Sequence, residues 1–388
     1  MYQHLYQLFL KANQNKLHMA SHSHHYWPDC TLTAHTQYWH DSARLTDKKW
    51  EYFFSTKVPE TSHFIRRLIQ LPETHDFIFA PNTHELITRL LSSFGHDDVC
   101  KVLTTDSEFY SFQRQMNRLC ETKKFNCEII PTESFNDFHQ RFLNAIDQTK
   151  PHLIFISRVF FNSGFVCDIQ KIIQKCQNEN IFLVIDDYHG FMALPIDLSS
   201  ISNTTFYLAG SYKYAQGGEG CCFLAVPKNS LLRPIDTGWF TQIGGLKNIS
   251  NSQITAYPNN EFRFAGSTMD FSALYRLNAV LSEFEKLNIN IDIIHDYIRQ
   301  LQNQFLIEIE HCNHPVINSE NLVVKDLNCC GHFLTFECGT PELAIEIQRD
   351  LENRGLITDG RGSRLRFGFG LYQTKDYNLK NYLIGKSK

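Results

Sequence analysis

The sequence predicts an α/β protein, a large doubly wound and mostly parallel sheet domain with a smaller α+β domain after it. Three observations carry that expectation. The run Ile181-Phe-Leu-Val-Ile185 is apolar without alternation, as in a strand buried on both faces, and it closes on Asp186 and Asp187. Strand-like runs near Phe125–Ile130 and Leu153–Ser157 alternate with helical periodicity near Glu133–Ile146 and Asp168–Glu179, the rhythm of strand-helix-strand units. At 388 residues, 43% hydrophobic and 13% aromatic, the chain exceeds one ordinary domain and can fill a large core.

Taken in order, Tyr2 to Ala12 carries one apolar helical face. The polar turn Ser21-His22-Ser23-His24-His25 follows, and Pro28 suits the start of the next helix. The spacing of His18, His22, His24 and His25 fits no closed zinc site, and no acid is near them in sequence, so no metal is expected. Asp29 to Leu71 is helical in pattern. The strand Asp76–Ala80 gives way to Pro81-Asn82-Thr83-His84-Glu85 and the helical set Leu86, Ile87, Leu90 and Leu91. A threonine cap there, with amides exposed at a helix start, makes a cradle for phosphate. Cys100–Thr104 reads as a strand leading to Ser107-Glu108-Phe109-Tyr110-Ser111. Asn162 follows the Leu153–Ser157 strand on the edge where ligands collect.

Thr204–Ala209 is a strand that ends in Ser-Tyr-Lys-Tyr and a glycine-rich turn, and Cys221–Val226 returns antiparallel. Past Ser272, two periodic helices open the smaller domain, Ser272–Leu287 and Ile291–Ile309. Strands are expected around Leu322–Lys325, His332–Phe336 and Arg364–Phe367, with helices at Pro341–Arg354 and after Thr374. The expected division is residues 1–50 joining the small domain, 51–268 as the large domain and 269–388 as the small C-terminal domain.

Composition narrows the partners. Lys plus Arg is 37 against 41 for Asp plus Glu, a net charge of -4 with no basic arm, which argues against nucleic acid and anionic membranes. No run approaches ~18 apolar residues and the first residues lack an export pattern, so a soluble, cytoplasmic protein is expected. The 12 cysteines are dilute, two pairs are adjacent and no Cys-x-x-Cys occurs, which predicts free thiols in a reducing compartment.

Lys213 stands out at a strand end, among aromatics and just before Gly217, Gly218 and Gly220. An amine of lowered proton affinity there suits condensation with an aldehyde cofactor. Pyridoxal 5'-phosphate (PLP) is the aldehyde this suggests, and it needs a carboxylate to keep its pyridine nitrogen protonated. Asp186 meets that need, and His189 is within reach of the ring's phenolic oxygen. Singly, each also fits a loop cap or a turn; together they define a cofactor site.

The pair DDYHG and GSYKYAQGGEG resembles the class V branch of the fold-type I PLP enzymes, the aminotransferase class V family, and within it is most similar to kynureninase. The resemblance runs from about Leu17 to Tyr372. It implies a homodimer with the active site at the subunit interface. It implies phosphate and ring contacts from Asn82, Thr83, His84 and Tyr212, with Phe109 stacking on the cofactor. Trp239 and Thr268, or Ser267 one position away, match residues that cross to the neighbour's cofactor. Arg366, which precedes a Leu-Tyr, matches the arginine that holds the substrate carboxylate; Arg364 shares its strand face, so the residues alone do not separate the two. His22, His24 and Asn162 are the implied substrate contacts. The chain departs from kynureninase at Tyr110, Ser111 and Phe112, where Pro-Thr and an Asp are expected, and at Ser21–His25, where an Asn-Ser turn is expected.

The reaction this implies begins with an imine between an amino-acid substrate and PLP, followed by removal of the Cα proton by Lys213. Kynureninase-like hydrolytic Cβ–Cγ cleavage is the first expectation and class V transamination the alternative. Cysteine desulfuration ranks third, because it requires a thiol on a mobile loop and Cys329 and Cys330 lie in no such loop. A regulatory module that binds PLP without turnover is the non-enzymatic reading.

Overall fold

The computed structural model describes residues 2–245 and 254–384. Its centre is a seven-stranded sheet: β1 His75–Ala80, β2 Cys100–Thr105, β3 Phe125–Ile130, β4 Leu153–Ser157, β5 Phe182–Asp186, β6 Thr205–Gly210 and β7 Cys222–Pro227. The spatial order is β1-β7-β6-β5-β4-β2-β3. All pairings are parallel except those of β7, which runs antiparallel to both β1 and β6. β4, β6 and β7 are buried throughout, which is why their sequences show no polar alternation, while the edge strand β3 keeps several side chains in solvent.

The helices Thr83–Leu91, Tyr110–Glu121, Phe135–Thr149 and Ile169–Glu179 cover the sheet. Phe112, expected as a departure from the family motif, is core: its ring stacks on Phe155 of β4 at 3.8 Å and 8°. A second, three-stranded antiparallel sheet joins Asp359–Arg361, Arg364–Gly368 and Phe333–Glu337, with the helices Ser272–Lys286, Ile291–Glu310 and Pro341–Asn353 nearby in the chain. The N-terminal segment belongs with this sheet, through the parallel ladder of Leu17–His18 on Leu356–Ile357 and the bridge of Ala20 to Gly368.

Some expected elements differ. Leu322–Lys325 is not a strand; Leu322 makes one isolated bridge to Phe336. The expected N-terminal helix is split into a 3-10 turn at Gln3–Leu5 and a helix at Gln7–Ala12. The cap of the helix expected to cradle phosphate is Asn82 rather than Thr83: the Asn82 side chain accepts from Glu85 N–H, and Thr83 begins the helix. Asparagine wins this position because its short amide reaches the third N–H of the helix.

At the end of β5 the two consecutive acids part, as neighbours on a strand must. Asp187 turns into the core, where Arg158 Nε donates to it at 2.7 Å and the Tyr207 hydroxyl at 2.7 Å. Arg158 spends its remaining nitrogens on the carbonyls of Leu194 and Pro195. Both ion-pair partners are buried, so the fold depends on the pair being complete. R158A strands the Asp187 carboxylate and is expected to lower the unfolding free energy by about 3–5 kcal/mol in urea titration; a loss under about 1 kcal/mol would show the pair to be dispensable.

Candidate active site

β2, β4, β5 and β6 all end on one edge of the sheet, and the loops beyond them enclose a cavity of about 250 Å³. Its wall includes Asn82, Thr83, His84, Phe109, Asp186, His189, Tyr212 and Lys213, brought together from four separate stretches of sequence. The turn that carries Lys213 is closed by Gln216 N–H donating to the Lys213 carbonyl at 3.0 Å and Gly217 N–H donating to Ser211 O at 2.8 Å. Two of its glycines have a specific reason. Gly218 has φ +72° and lies under Trp27, whose ring would be 2.5 Å from an added Cβ; at Gly210 an added Cβ would meet the Tyr188 ring at 2.3 Å.

Lys213 is only 6% exposed, and Nζ lies 2.8 Å from His189 Nε2. Burial pulls its proton affinity well below that of an ordinary lysine; Asp186 opposes the shift, while Arg366 and Arg361 add to it. Asp186 is pushed upward by burial, held back by a hydrogen bond from Tyr188 N–H at 3.0 Å and by Lys213. His189 is driven low by burial and then by Lys213 and Arg366, so its ring is neutral. The lysine and the acid are therefore a buried pair sensitive to what enters the cavity.

At one end of the cavity is the start of the helix Thr83–Leu91, with its positive end and first-turn N–H groups. Phe109 forms a wall, its ring centroid 5.4 Å from Lys213 Nζ and edge-on to Phe161 at 5.4 Å. Tyr212 lines the same space and leans on Tyr188 at 5.1 Å. His24 is exposed at the rim, with its ring 5.7 Å from Tyr212 and Nε2 4.0 Å from Glu219.

Other expected residues stand outside the wall. Arg366 is buried behind Phe161, to whose carbonyl Nη1 donates, and is paired through Nη2 with Asp359. Arg364 is engaged elsewhere, with Glu133, Glu337 and the carbonyl of Asn162, so Arg366 is the arginine whose charge reaches Lys213. His22 is fully buried on Phe333, and Asn162 donates to Ser107 Oγ at 3.2 Å. Trp239, Ser267 and Thr268 are on the surface, with Trp239 Nε1 donating to Thr268 Oγ1 at 3.0 Å.

Sequence reasoning missed Glu108 and Asp359. Glu108 is fully buried beneath the site; Thr105 Oγ1 donates to it at 2.7 Å and Ser157 N–H at 3.1 Å, and its Oε2 lies 2.5 Å from Ser157 Oγ. Burial raises its carboxyl to about 8, so at neutral pH it is protonated and its O–H can donate to Ser157 Oγ. Ser157 lines the cavity and is the register partner of Asp186. The signal was an acid set between an apolar strand and a helix, too common a pattern to separate from a surface loop.

The chain belongs to the aminotransferase class-V family, whose profile matches residues 26–330. It is 28% identical over 232 residues to an uncharacterized aminotransferase, YcbU, of Bacillus subtilis (strain 168), covering 59% of each chain. It is 21% identical over 237 residues to a cysteine desulfurase of Enterobacter sp. (strain 638), covering 60% of this chain and 57% of that one. The chain thus spans under two thirds of the length of either relative. Among solved structures, a C-DES mutant with glycine covalently linked to its PLP cofactor superposes with a TM-score of 0.81 at 14% identity, over 96% of this chain and 95% of that one. The apo cysteine desulfurase of Thermococcus onnurineus NA1 gives 0.77 at 14% identity, over 93% and 91%. None of these is a kynureninase, so that narrower resemblance gains no support from them.

The cofactor of this family is PLP, and the donor set fits it. A buried amine of low proton affinity, a carboxylate near it, an aromatic wall and a helix start with its first-turn amides occur within one small cavity. Among the described residues, no group of three or more His, Cys, Asp and Glu is arranged to hold a metal ion, and no helix is long and apolar enough to cross a membrane.

Two predictions follow from these protonation states. Because burial lowers Lys213, its amine is available at a pH where an exposed lysine, titrating near ~10.4, is charged. The visible absorbance of lysine-bound PLP is expected to be fully developed by about pH 8 and absent in K213A; a band that grows in only above about pH 9 would overturn the reading of Lys213. Glu108 is raised above its unfolded value, so it should cost stability progressively as pH climbs from the ordinary carboxyl range through about 8. E108Q, which mimics the protonated acid, should flatten that decline in thermal melts taken across the range, whereas an unchanged pH profile would mean that Glu108 is ionised at neutral pH.

Proposed function

We propose that the protein is a PLP-dependent enzyme that removes the Cα proton of an amino acid with Lys213 and carries the reaction to transamination. The observation that carries this is the buried, weakly basic Lys213 beside Asp186 in a cavity that fits PLP. When bound, PLP supplies an aldehyde that condenses with amines and a pyridinium ring that withdraws electrons from Cα.

The chain's own residues have distinct roles in this reading. Asp186 holds the proton on the pyridine nitrogen, and its burial makes that contact strong. Asn82, Thr83, His84 and Tyr212 receive the phosphate, and Phe109 packs against the ring. Lys213 takes the Cα proton and returns it one position away; His189, 2.8 Å from Nζ, keeps the amine aimed and accepts a hydrogen bond from it. Arg366 takes the substrate carboxylate, with His22, His24 and Asn162 around the substrate side chain. Trp239, Ser267 and Thr268, exposed on this chain, are assigned to a partner's cofactor in a homodimer.

A second reading is elimination of a sulfur substituent at Cβ, supported by the likeness to a cysteine desulfurase. It would have to proceed without an enzyme thiol. Cys222, the cysteine in the cavity wall, is pushed to about 12 by burial, and Cys329 is raised by burial and by Asp326. Hydrolytic Cβ–Cγ cleavage has the least support, since the chain departs from the kynureninase pattern at Ser21–His25 and Phe112.

Incubating the PLP-loaded protein with a panel of L-amino acids separates these outcomes. Transamination is expected to give one keto acid per cofactor and to bleach the aldehyde absorbance in the absence of an acceptor. Pyruvate with ammonia, accompanied by sulfide from cysteine or by cysteine persulfide from cystine, would establish elimination instead. R366Q is expected to raise KM by about 100-fold, through loss of a charge-assisted bidentate contact; an unchanged KM would remove Arg366 from the site.

A further inference from the structure

The guanidinium of Arg366 is already engaged. It is 3% exposed, Nη1 donates to the Phe161 carbonyl and Nη2 to Asp359, and Nε is buried with no partner. A carboxylate spans an arginine along one of two edges, Nη1 with Nη2 or Nε with Nη2. Both edges include Nη2, the nitrogen that Asp359 holds. The contact is built in by register: Asp359 and Arg366 are direct cross-strand partners in the hairpin that turns at Gly362 and Ser363. Any substrate carboxylate bound by Arg366 therefore meets a carboxylate of the protein's own.

Beside this pair is a group able to receive Asp359. His22 lies fully buried and stacked on Phe333 at 4.8 Å and 23°, and neither ring nitrogen has a hydrogen-bond partner. Its Nε2 is 3.5 Å from Asp359 Oδ2. Gly368 leaves room for the ring, because a Cβ there would fall 2.4 Å from His22 Nδ1. A small swing of the aspartate would exchange Arg366 for the imidazole.

We propose that Asp359 is an internal rival of the substrate carboxylate for Arg366, and that His22 takes up Asp359 when the substrate displaces it. Asp359 then sets the affinity threshold of the site, weakening every carboxylate ligand by the cost of breaking its own pair. The inference rests on Arg366 being the carboxylate-binding residue, and its test separates the two. Propionate is titrated calorimetrically into the PLP-loaded wild type, D359N and R366Q. Asparagine keeps the shape and one acceptor but removes the competing charge, so D359N is expected to bind propionate at least about tenfold more tightly than wild type, and R366Q not at all. If Asp359 merely orients Arg366, D359N binds more weakly; that result, equal binding, or no binding by either protein overturns the rivalry. Binding by R366Q equal to wild type instead removes Arg366 from the reading. Should D359N fail to fold, a crystal of the wild type soaked in propionate decides: Asp359 turned onto His22 with propionate on Arg366 supports the proposal, and an intact Asp359–Arg366 pair overturns it.

Discussion

Desolvation of Lys213 is the constraint on which the site depends. A lysine placed at the end of a fully buried strand would ordinarily extend its ammonium to water, but here Tyr188, Tyr212 and Phe109 surround Nζ at 5.0 to 5.7 Å and leave the residue 6% exposed. The amine can then lose its proton cheaply, and the charge on Asp186 becomes correspondingly harder to sustain alone. Asp186 is the main compensation of Lys213, whereas Asp186 is relieved first by the Tyr188 N–H and then by Lys213. A cofactor with a ring nitrogen to protonate and an aldehyde to condense relieves both costs in one event, so the site is chemically suited to its ligand before any contact with the phosphate is counted.

The same economy governs the other buried charges. Asp187, next to Asp186 in sequence, faces the opposite way and is neutralised by Arg158 and Tyr207, so it does not compete for Lys213. Glu108 avoids a second negative charge behind Asp186 by keeping its proton and bonding to hydroxyls. Asp359 and Arg366 cancel one another, and Asp359 is held well below the usual carboxylate range by His22 and Arg366 despite its burial. Among these buried acids, Asp186 has neither a bonded arginine nor a resident proton.

Much of this was legible in the sequence, for a definite reason. Unbroken apolar runs at β4, β5 and β6 reveal strands with both faces covered, and in such sheets the carboxyl ends define the ligand edge, so Asp186 and Lys213 could be placed together without coordinates. The helix start at Asn82–His84 followed from a local capping signal on the same edge, and Phe109 from the family resemblance. What stayed hidden depends on pairing between distant segments. Arg364 and Arg366 look equivalent on one strand face until the ladder sets Arg364 opposite Glu337 and Arg366 opposite Asp359. Glu108 is buried because β2 and β4 are neighbours, a relation that no residue near it encodes. Leu322–Lys325 has strand composition but forms no ladder beyond one bridge, since it meets the neighbouring strand only through the Leu322–Phe336 bridge and the Val323 N–H bond to the Thr335 carbonyl.

The N-terminal histidine segment shows how two distant stretches make one surface. Its sequence admits a metal, a substrate contact or plain packing, and the structure distributes its members among different tasks. His18 stacks on Tyr26 and bonds the Tyr372 hydroxyl at 2.7 Å; His25 is bonded to its neighbour's carbonyl and pulled down to about 4 by burial. These two pack on Tyr372, with Gly370 leaving room for His25 and Gly368 leaving room for His22. His22, stacked on Phe333, lies 3.5 Å from Asp359, close enough to lower that carboxyl but without a full hydrogen bond to it. Packing holds its neighbours so that this one ring is placed beside the Asp359–Arg366 pair, where leaving a buried imidazole short of hydrogen bonds is costly.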